Sequence, residues 1–308
     1  MRMTIRYLST YTYDGVVSES QNALRAKPMT NARQTLLSYS VTVDPPALVY
    51  SYTDYWGTQV DCFGVIDRHT RLTVVADSVV QTSIQPAPLD AGSWPLQGEP
   101  TGSDVEYLAP SPHVLWDERV KQFGNGAVDG ETTLVGAARA VQKAVGSLLS
   151  YESGSTDVGV SVAEVFEQRA GVCQDYAHLS LAIYRSLGIP ARYVSGYLYA
   201  ADASLGDQPE ADEVEVSTHA WVEVLTPGNF WWGLDPTNQL EVGEQHVKIG
   251  HGRDYEDVMP LRGTYHGQAE SGGLEAGVHM SRANLDPYTM QPRPASKQRR
   301  DSQQQQQQ

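Results

Sequence analysis

Cysteine and basic residues are both scarce in this sequence. Only two of its 308 residues are cysteines, Cys62 and Cys173, and 22 Lys and Arg residues stand against 37 Asp and Glu residues. Two cysteines do not make the disulfide framework of a small secreted domain. The formal net charge of −15 argues against nucleic acid and anionic membranes as general partners, because both attract clustered Lys and Arg.

Long apolar runs and metal-binding signatures are missing too. No run approaches the ~20 residues of a membrane span. The sequence has neither a C-x-x-C pair nor an H-E-x-x-H segment, so we expect no metal and no cofactor. The opening MRMTIRYLSTYTYDG alternates polar and apolar residues without the apolar centre of a secretory signal. We therefore predict a cytoplasmic, reducing location, in which a free thiol persists.

The first part of the chain shows the pattern of β-strands. Short alternating or β-branched segments, separated by Gly, Pro and Asp, fill residues 1–84 and predict an N-terminal antiparallel domain that is sandwich-like. Cys62 falls within one of these strands, where a small buried hydrophobe is expected. Residues 85–104 are rich in Pro, Gly and acids, and this composition predicts a linker.

Helical periodicity begins after the linker. PHVLWDERVKQFG and ETTLVGAARAVQKAVGSLLSYES space their apolar residues by three and four, which predicts helices. Ser161 with Glu164 three residues later is a capping-box signature. Strands return near the middle of the chain, so residues 105–290 are predicted to form an α+β core. The glutamine-rich residues 291–308 are predicted to be a disordered tail.

Cys173 stands at the start of a strongly apolar segment that runs from Gln174 to Leu187. Gly188 and Pro190 end this segment, which predicts a central helix closed by its C-terminal glycine. The unpaired N–H groups and the dipole at a helix start favour an anion, and this suits a thiolate nucleophile. Any small residue can begin a helix, so the position favours this role without establishing it.

A base for the thiol must come from elsewhere. His178 lies on the same helix and points roughly 140° away from Cys173, so we expect it only to pack or to hydrogen-bond. STHAWVEVLTPGNFWWGLDPTNQ predicts a β-hairpin. A three- or five-residue loop would place His219 directly opposite Asp235, where a carboxylate can orient an imidazole. A His–Asp pair that serves only the sheet is the alternative interpretation.

Three ordered blocks, GVCQDYAHLSLAIYRSLGIPARYVSGY, THAWVEV and GLDPTN, resemble the core of the transglutaminase-like superfamily in its bacterial branch. The resemblance extends over most of the chain, including an N-terminal β domain ahead of the core. It implies a papain-like core, in which the cysteine begins a helix packed on a sheet that carries the histidine and the acid. By this resemblance, Cys173 is the nucleophile, His219 the base and Asp235 the orienting acid.

The resemblance implies attack on a peptide or glutamine-type amide and formation of a thioester. Water as acceptor makes the enzyme a peptidase or amidase, and an amine makes it a protein-glutamine gamma-glutamyltransferase. Crosslinking animal transglutaminases have tryptophan after the nucleophile and need calcium, whereas this chain has Gln174 and no evident calcium loop. We expect hydrolysis to dominate. Calcium-independent transamidation, an arylamine-type acyl transferase and an inactive peptide-binding module are the alternatives.

Three further residues are candidates for contact with the substrate or the oxyanion. Gln174 and Tyr151 are candidate side-chain donors, beside the backbone N–H of the cysteine. Trp221 shares a predicted strand face with His219, although packing within the core is the alternative role. Asp175 is expected to cap the start of its own helix.

Overall fold

The computed structural model describes residues 1–96, 102–152, 160–199, 213–216, 218–269 and 272–283. Over these ranges the chain forms an eight-stranded sheet, a five-stranded sheet, a two-stranded sheet and four α-helices. The predicted α+β class is therefore confirmed. The predicted tail, residues 291–308, lies outside the described residues.

The eight-stranded sheet is built around one 23-residue strand at the N-terminus. Its strands are β1 Arg2–Leu24, β2 Gln34–Asp44, β3 Val49–Thr53, β4 Gln59–Val65, β5 His69–Thr82, β9 Glu213–Val216, β14 Leu261–Gly267 and β15 Gly272–Arg282. The main order is β2-β5-β1-β15-β9, while β4 and β14 also pair with β1, and β3 pairs with β4. Met3, Ile5 and Tyr7 alternate into a buried apolar face.

This first sheet draws strands from both ends of the sequence. β14 and β15 lie inside the predicted core of residues 105–290, yet they pair with β1 through Leu24 and Leu261 and through Tyr7 and Val278. The strands of residues 1–84 thus share their sheet with β14 and β15, and the predicted division of the chain into domains stays a prediction. Pairing between distant strands leaves no local signal, because each strand shows only its own alternation.

A second, five-stranded antiparallel sheet carries the predicted histidine and acid. Its strands are β8 Ala191–Leu198, β10 Thr218–Thr226, β11 Phe230–Asp235, β12 Leu240–Glu241 and β13 His246–Gly252. They are ordered β12-β11-β10-β8-β13. Val222 and Val224 belong to the core beneath the helices. By the alternation of a strand, His219, Trp221 and Glu223 therefore share the opposite face of β10.

The α-helices pack on one face of the second sheet. They are α1 Glu118–Ala127, α2 Leu134–Leu148, α3 Val162–Gln168 and α4 Cys173–Ser186, and the short strands β6 Ser150–Tyr151 and β7 Ala170–Gly171 pair between them. Helix α4 is central, since residues 175–185 are all buried and it contacts the other three helices and β10. Among the described residues, no helix combines the length and the apolar character that crossing a membrane would require.

The local helix signals are confirmed. The Ser161 N–H donates to Glu164 Oε2 at 2.9 Å, and the Glu164 N–H donates to Ser161 Oγ at 3.3 Å, so both arms of the predicted capping box are present. Gly188 has a φ of 79° just after α4, where an L side chain would be strained. The capping box fixes the start of α3, which precedes Cys173, and Gly188 fixes the end of α4, which begins at Cys173.

The first part of the predicted linker is fixed to the core. The Gln85 side chain exchanges two hydrogen bonds with the backbone of Gly233, at 3.1 and 2.9 Å. The Trp94 N–H also donates to the Thr132 carbonyl at 3.0 Å. These hydrogen bonds tie the first part of the predicted linker, residues 85–104, to the second sheet and to the start of α2. Residues 97–101 lie outside the described residues.

Candidate active site

Cys173 is the first residue of α4, and a glycine and an aspartate shape the turn before it. The Val172 N–H donates to Asp175 Oδ2 at 2.8 Å, so Asp175 caps the helix start as predicted. A Cβ on Gly171 would lie 2.6 Å from the same oxygen, which leaves room only for glycine. The N–H groups of Cys173 and Gln174 stand outside the intrahelical ladder, at the helix end that favours a thiolate.

The β10–β11 hairpin brings His219 and Asp235 together in a register different from the predicted one. Thr226 pairs with Phe230, so the loop has three residues and lies one position later than expected. Continued to the end of β11, this register sets Asp235 opposite Trp221. Direct cross-strand pairing of the histidine and the acid is therefore wrong. They meet as diagonal neighbours, with His219 Nε2 2.8 Å from Asp235 Oδ2.

The carboxylate of Asp235 is fully buried and accepts five hydrogen bonds. Oδ2 accepts from His219 Nε2 at 2.8 Å, from His246 Nε2 at 3.1 Å and from Asn238 Nδ2 at 2.8 Å. Oδ1 accepts from the backbone N–H groups of Thr237 and Asn238 at 3.1 and 3.2 Å. Burial alone would raise the pKa of Asp235, but these donors hold it well below its usual range, so the carboxylate is ionised at neutral pH.

His246 is a second histidine on the same carboxylate oxygen. Its Nδ1 accepts the Gly243 N–H at 3.1 Å, which places the ring proton on Nε2 and makes that atom a donor to Asp235. Burial, partly offset by Asp235, lowers the pKa of His246, so this ring is neutral. The ring of Trp221 packs edge-on against it at a centroid distance of 5.4 Å. His246 therefore positions Asp235 as a neutral donor.

His219 interacts with both this carboxylate and Cys173. Because its Nε2 is engaged by Asp235, Nδ1 is the ring nitrogen left to interact with Cys173. Burial alone would lower the pKa of His219, but the hydrogen bonds to Asp235 and Cys173 outweigh burial and raise the pKa to about 10. The ring is therefore an imidazolium at neutral pH, and it faces the sulfur as a thiolate's partner would.

The raised pKa of His219 predicts a pH-dependent contribution to stability. A group whose pKa rises on folding, here from 6.5 to about 10, stabilises fully below 6.5 and loses that contribution as the pH rises through 10. The melting temperature of the wild type should therefore exceed that of His219→Gln by more at pH 6.5 than at pH 10. Thermal unfolding of both proteins at the two pH values measures this difference.

The control for this experiment is His266→Gln, since His266 is exposed on β14. Its melting temperature should differ from that of the wild type by the same small amount at both pH values. A His219→Gln difference that is equally constant would contradict the imidazolium assignment.

The structure places the three further candidates in different surroundings. Tyr151 lies beside the nucleophile, because Cys173 contributes, after burial, to the raised pKa of its phenol. Gln174 is half-buried next to Cys173. Trp221 is fully buried under a small apolar cluster, with its ring centroid 6.1 Å from that of His219. The prediction that Trp221 contacts the substrate is therefore wrong. Its ring instead packs beside the imidazole of His219.

His178 packs within the core, as its helical position predicts. Its Nε2 accepts the Tyr255 N–H at 3.3 Å, and its ring stacks on that of His113 at a centroid distance of 5.5 Å. Burial lowers the pKa of His178 far below its usual value, so this ring is neutral. Because its ring nitrogen is engaged by the backbone, His178 is not the base for the thiol.

His219, Asp235 and His246 are the group of described residues whose potential ligand atoms come close enough to hold a metal ion, within 4.8 Å of one another. Both Nε2 atoms are donors to Asp235, and the Gly243 N–H fixes the proton of His246 on that atom. A ligating nitrogen needs a free lone pair. The observed hydrogen bonds therefore do not fit a metal ion here, and the absence of a cofactor stays a prediction.

Sequence reasoning missed three supporting residues of this site. Gln142 Nε2 donates to the carbonyls of Asp235 and Leu240 at 3.0 and 2.7 Å, which fixes the turn after β11. Asn238 follows Asp235 by three positions in DPTN, and such an Asp-initiated turn could have been predicted. His246 leaves no such signal, since its strand reaches the site only by pairing with β8.

Two family models match the chain. The model of the transglutaminase-like superfamily matches residues 121–236, and the model of the bacterial transglutaminase-like N-terminal region matches residues 3–81. The first match contains Cys173, His219 and Asp235. The second covers the N-terminal strands of the first sheet, whereas strands β12 to β15 lie beyond both matches.

Individual relatives agree with these matches. An uncharacterized protein of Mycobacterium leprae is 38% identical over 287 residues, which cover 91% of this chain and 99% of the relative. A protein-glutamine gamma-glutamyltransferase of Pseudomonas aeruginosa is 36% identical over 105 residues, 32% of this chain and 15% of that protein. The solved structure named "a Putative Cysteine Protease from Cytophaga hutchinsonii" shares the fold, with a TM-score of 0.69, 23% identity and 90% of both chains covered. The chain therefore belongs to the transglutaminase-like superfamily, with the bacterial N-terminal region ahead of its core.

Proposed function

We propose that this protein is an acyl-transfer enzyme that attacks peptide or glutamine-type amides through Cys173 and hydrolyses the resulting thioester. The observation that carries the proposal is the His219 ring, whose Nε2 lies 2.8 Å from the fully buried carboxylate of Asp235 and whose raised pKa also reflects an interaction with Cys173. A thiolate nucleophile with an oriented acid–base partner needs this arrangement.

In the first half-reaction, the Cys173 sulfur attacks the amide carbon, and the carbonyl oxygen becomes an oxyanion. The backbone N–H of Cys173 is the proposed donor to this oxyanion, since it stands outside the helical ladder, and the side chain of Gln174 is the proposed second donor. As the C–N bond breaks, the His219 imidazolium gives its Nδ1 proton to the departing nitrogen. Ammonia or an amine leaves, and the acyl group remains on sulfur as a thioester.

In the second half-reaction, neutral His219 takes a proton from water as the water oxygen attacks the thioester carbon. The C–S bond then breaks, the carboxylic acid departs and the thiolate–imidazolium pair is restored. Asp235 holds the Nε2–H toward itself in both protonation states of the ring, so Nδ1 is the atom that exchanges the proton throughout.

Water is the proposed acceptor because Gln174 follows the nucleophile, at the position where crosslinking animal transglutaminases have tryptophan. One observation favours an amine acceptor instead, the 36% identity over 105 residues to a gamma-glutamyltransferase. Both reactions pass through the same thioester on Cys173. Only the fate of that thioester distinguishes the amidase or peptidase from the transamidase.

Partition of the thioester tests the proposal. The full-length protein receives benzyloxycarbonyl-glutaminyl-glycine or a glutamine-containing peptide, together with an excess of a dansylated alkylamine and no calcium. We expect free acid or cleaved peptide to form faster than the amine adduct, because water reaches the thioester first. Mass spectrometry of both products measures the ratio. Faster formation of the amine adduct would establish the transamidase, and formation of neither product would contradict the enzyme assignment for these substrates.

A further inference from the structure

A cavity of about 300 Å³ lies beside the second sheet, and neither Cys173 nor His219 lines it. One wall comes from the segments that flank β2 and β5 in the N-terminal part, and the other comes from β8, β10, β11 and β13. Charged side chains of both signs project into it. They are Arg33, Arg192, Glu223 and Lys248, and the imidazole of His251 lies among them.

A buried ion cluster forms one side of this cavity. Lys248 Nζ and Arg192 Nη2 each lie 2.6 Å from the same oxygen of Glu223, Oε2. The side chains are almost removed from water, with 5% of Lys248 and 12% of Glu223 exposed. Two cations thus share a single carboxylate oxygen. With every member ionised, the cluster keeps one positive charge that no protein group balances.

Arg33 adds a third cation on the opposite wall. Its Nη1 donates to the carbonyls of Gly243 and His246 at 3.0 Å each, and these neutral acceptors leave its charge uncompensated. Glu223 is the carboxylate among the described residues that line the cavity, so three cations face one anion. The cavity therefore carries an excess of two positive charges when Lys248 is protonated and of one when it is neutral, within a chain whose net charge is −15.

Two titratable groups beside the cluster have pKa values that are lowered first by burial and then by neighbouring cations. Burial and then the charge of Arg192 lower the pKa of Lys248 to about 7, although Glu223 opposes them. Burial and then the charges of Lys248 and Arg192 hold the pKa of His251 well below its usual value. The Nδ1 atom of His251 is buried and finds no hydrogen-bond partner among the described residues. A buried polar atom without a partner costs free energy, and a ligand that reached it would recover that cost.

The remaining lining is mostly apolar, with Asn31, Ser83 and Gln85 as its polar members. The Arg192 guanidinium lies 4.0 Å from the centroid of the Trp231 ring, which holds the cation flat against the wall. Ile84 stands at the rim with 73% of its surface exposed. The volume is at the lower end of small-molecule sites, roughly 300–1,000 Å³, and it accommodates a single substituted ring.

We propose that this cavity binds a small organic anion, with a carboxylate or phosphate group held by Arg33 and Lys248 and an apolar body packed on Trp231. A guanidinium and an ammonium that line one cavity are the groups that recognise these anions. The anion would balance the excess charge, and the apolar body would cover the exposed rim.

The cavity is separate from the reaction at Cys173. His219, Trp221 and Glu223 follow one another on the same face of β10, and fully buried Trp221 stands between the catalytic histidine and the ion cluster. An anion in the cavity and an amide at the thiol therefore do not compete for space. Binding at this site does not depend on the proposed hydrolysis, and the two proposals fail or succeed independently.

Calorimetric titration of the full-length Cys173→Ala protein tests the proposal, because this variant cannot turn over an amide. Benzoate and phenyl phosphate are the anionic probes, and benzyl alcohol and benzylamine are the neutral and cationic probes of matched shape. We expect one or both anions to bind at least tenfold more tightly than benzyl alcohol, and benzylamine to bind least. Preference for phenyl phosphate over benzoate identifies a phosphate site, and the reverse preference identifies a carboxylate site.

Two variants locate the binding. Arg33→Gln should weaken the preferred anion by about tenfold or more, as expected for loss of a charge-assisted hydrogen bond. Ala32→Trp should weaken it too, since Ala32 is an exposed residue at the cavity wall and a large side chain would fill the space without disturbing the core. Arg119→Gln is the matched control, because Arg119 is exposed on α1 and does not line the cavity.

Equal binding of the anionic, neutral and cationic probes would overturn the proposal. Anion binding that persists unchanged in both Arg33→Gln and Ala32→Trp would overturn it as well. If Arg33→Gln does not fold, because it loses the contacts to Gly243 and His246, Ala32→Trp alone decides the location of binding.

Discussion

Replacement of Cys173 by alanine is expected to lower acyl transfer by about 10⁴-fold or more, whichever acceptor completes the reaction. In the proposed mechanism the thioester forms on this sulfur, and no other atom takes its place as the nucleophile. The His219 ring interacts with Cys173, and the start of α4 presents its backbone donors at the same point. Release of ammonia and acid from the glutamine peptide, together with mass spectrometric detection of the acyl-enzyme, measures the loss.

Cys62→Ala is the matched control for this substitution. Cys62 lies in β4 and pairs with Ala23 and Tyr50 in the first sheet, away from the histidine and the acid. Its replacement should leave turnover unchanged, and iodoacetamide should label Cys173 faster than Cys62 in the wild type. Residual turnover of more than a few per cent in Cys173→Ala, with the fold confirmed by circular dichroism, would contradict the assignment of the nucleophile.

The sequence predicts the helical half of the site well because its signals are local. The start of α4 follows from Gly171 and from Asp175, which lies three residues beyond the N-cap. The end of α4 follows from Gly188. Each signal acts through hydrogen bonds or backbone conformations within one turn of helix. The neighbouring residues are therefore enough to predict where the helix begins and ends. The predicted helix from Gln174 to Leu187 accordingly differs from the observed Cys173–Ser186 by one residue at each end.

The observed loop of the β10–β11 hairpin lies one residue later than the sequence predicts. Gly228 and Asn229 both adopt positive φ, 79° and 59°, so the loop contains the asparagine as well as the glycine. Asparagine tolerates this conformation better than most residues, and its presence was the available signal. A loop displaced by one residue shifts both strands and changes which pairs face each other. The histidine and the acid still meet, because the side chains of diagonal neighbours span the added distance.

The rest of the site depends on contacts that no segment reveals alone. His246 reaches Asp235 because β13 pairs with β8, and Arg33 reaches the carbonyl of His246 because the segment after β1 crosses the edge of the second sheet. The ion cluster around Glu223 likewise combines side chains from three strands. In the sequence, each of these residues is an ordinary polar residue of a strand, and nothing near it indicates its partners. Tertiary pairing creates the chemistry, so these groups follow from the structure and not from the spacing of the sequence.

Replacement of Asp235 by asparagine is expected to lower turnover by about 10³–10⁴-fold, even though the side chain keeps its size. The carboxylate accepts five hydrogen bonds, whereas an amide group has one accepting oxygen and one donating nitrogen. Either orientation sets the amide N–H₂ against donors: the backbone N–H groups of Thr237 and Asn238, or the side chains of His219, His246 and Asn238. The His246 proton is fixed by the Gly243 N–H, so that ring cannot change tautomer to adapt.

His219 then loses its charged partner, and its pKa falls from about 10. The imidazolium that faces the sulfur is less populated at pH 6–8, so alkylation of Cys173 by iodoacetamide should slow in the same pH range in which turnover declines. Asp77→Asn is the matched control, since Asp77 is an exposed partner of Arg6 and carries the same charge change. If Asp235→Asn melts within a few degrees of the wild type yet keeps turnover and alkylation within tenfold, Asp235 serves only the sheet and the acid has no part in the reaction. A parallel loss of both rates, absent from Asp77→Asn, would show that the buried carboxylate acts on the thiol through His219.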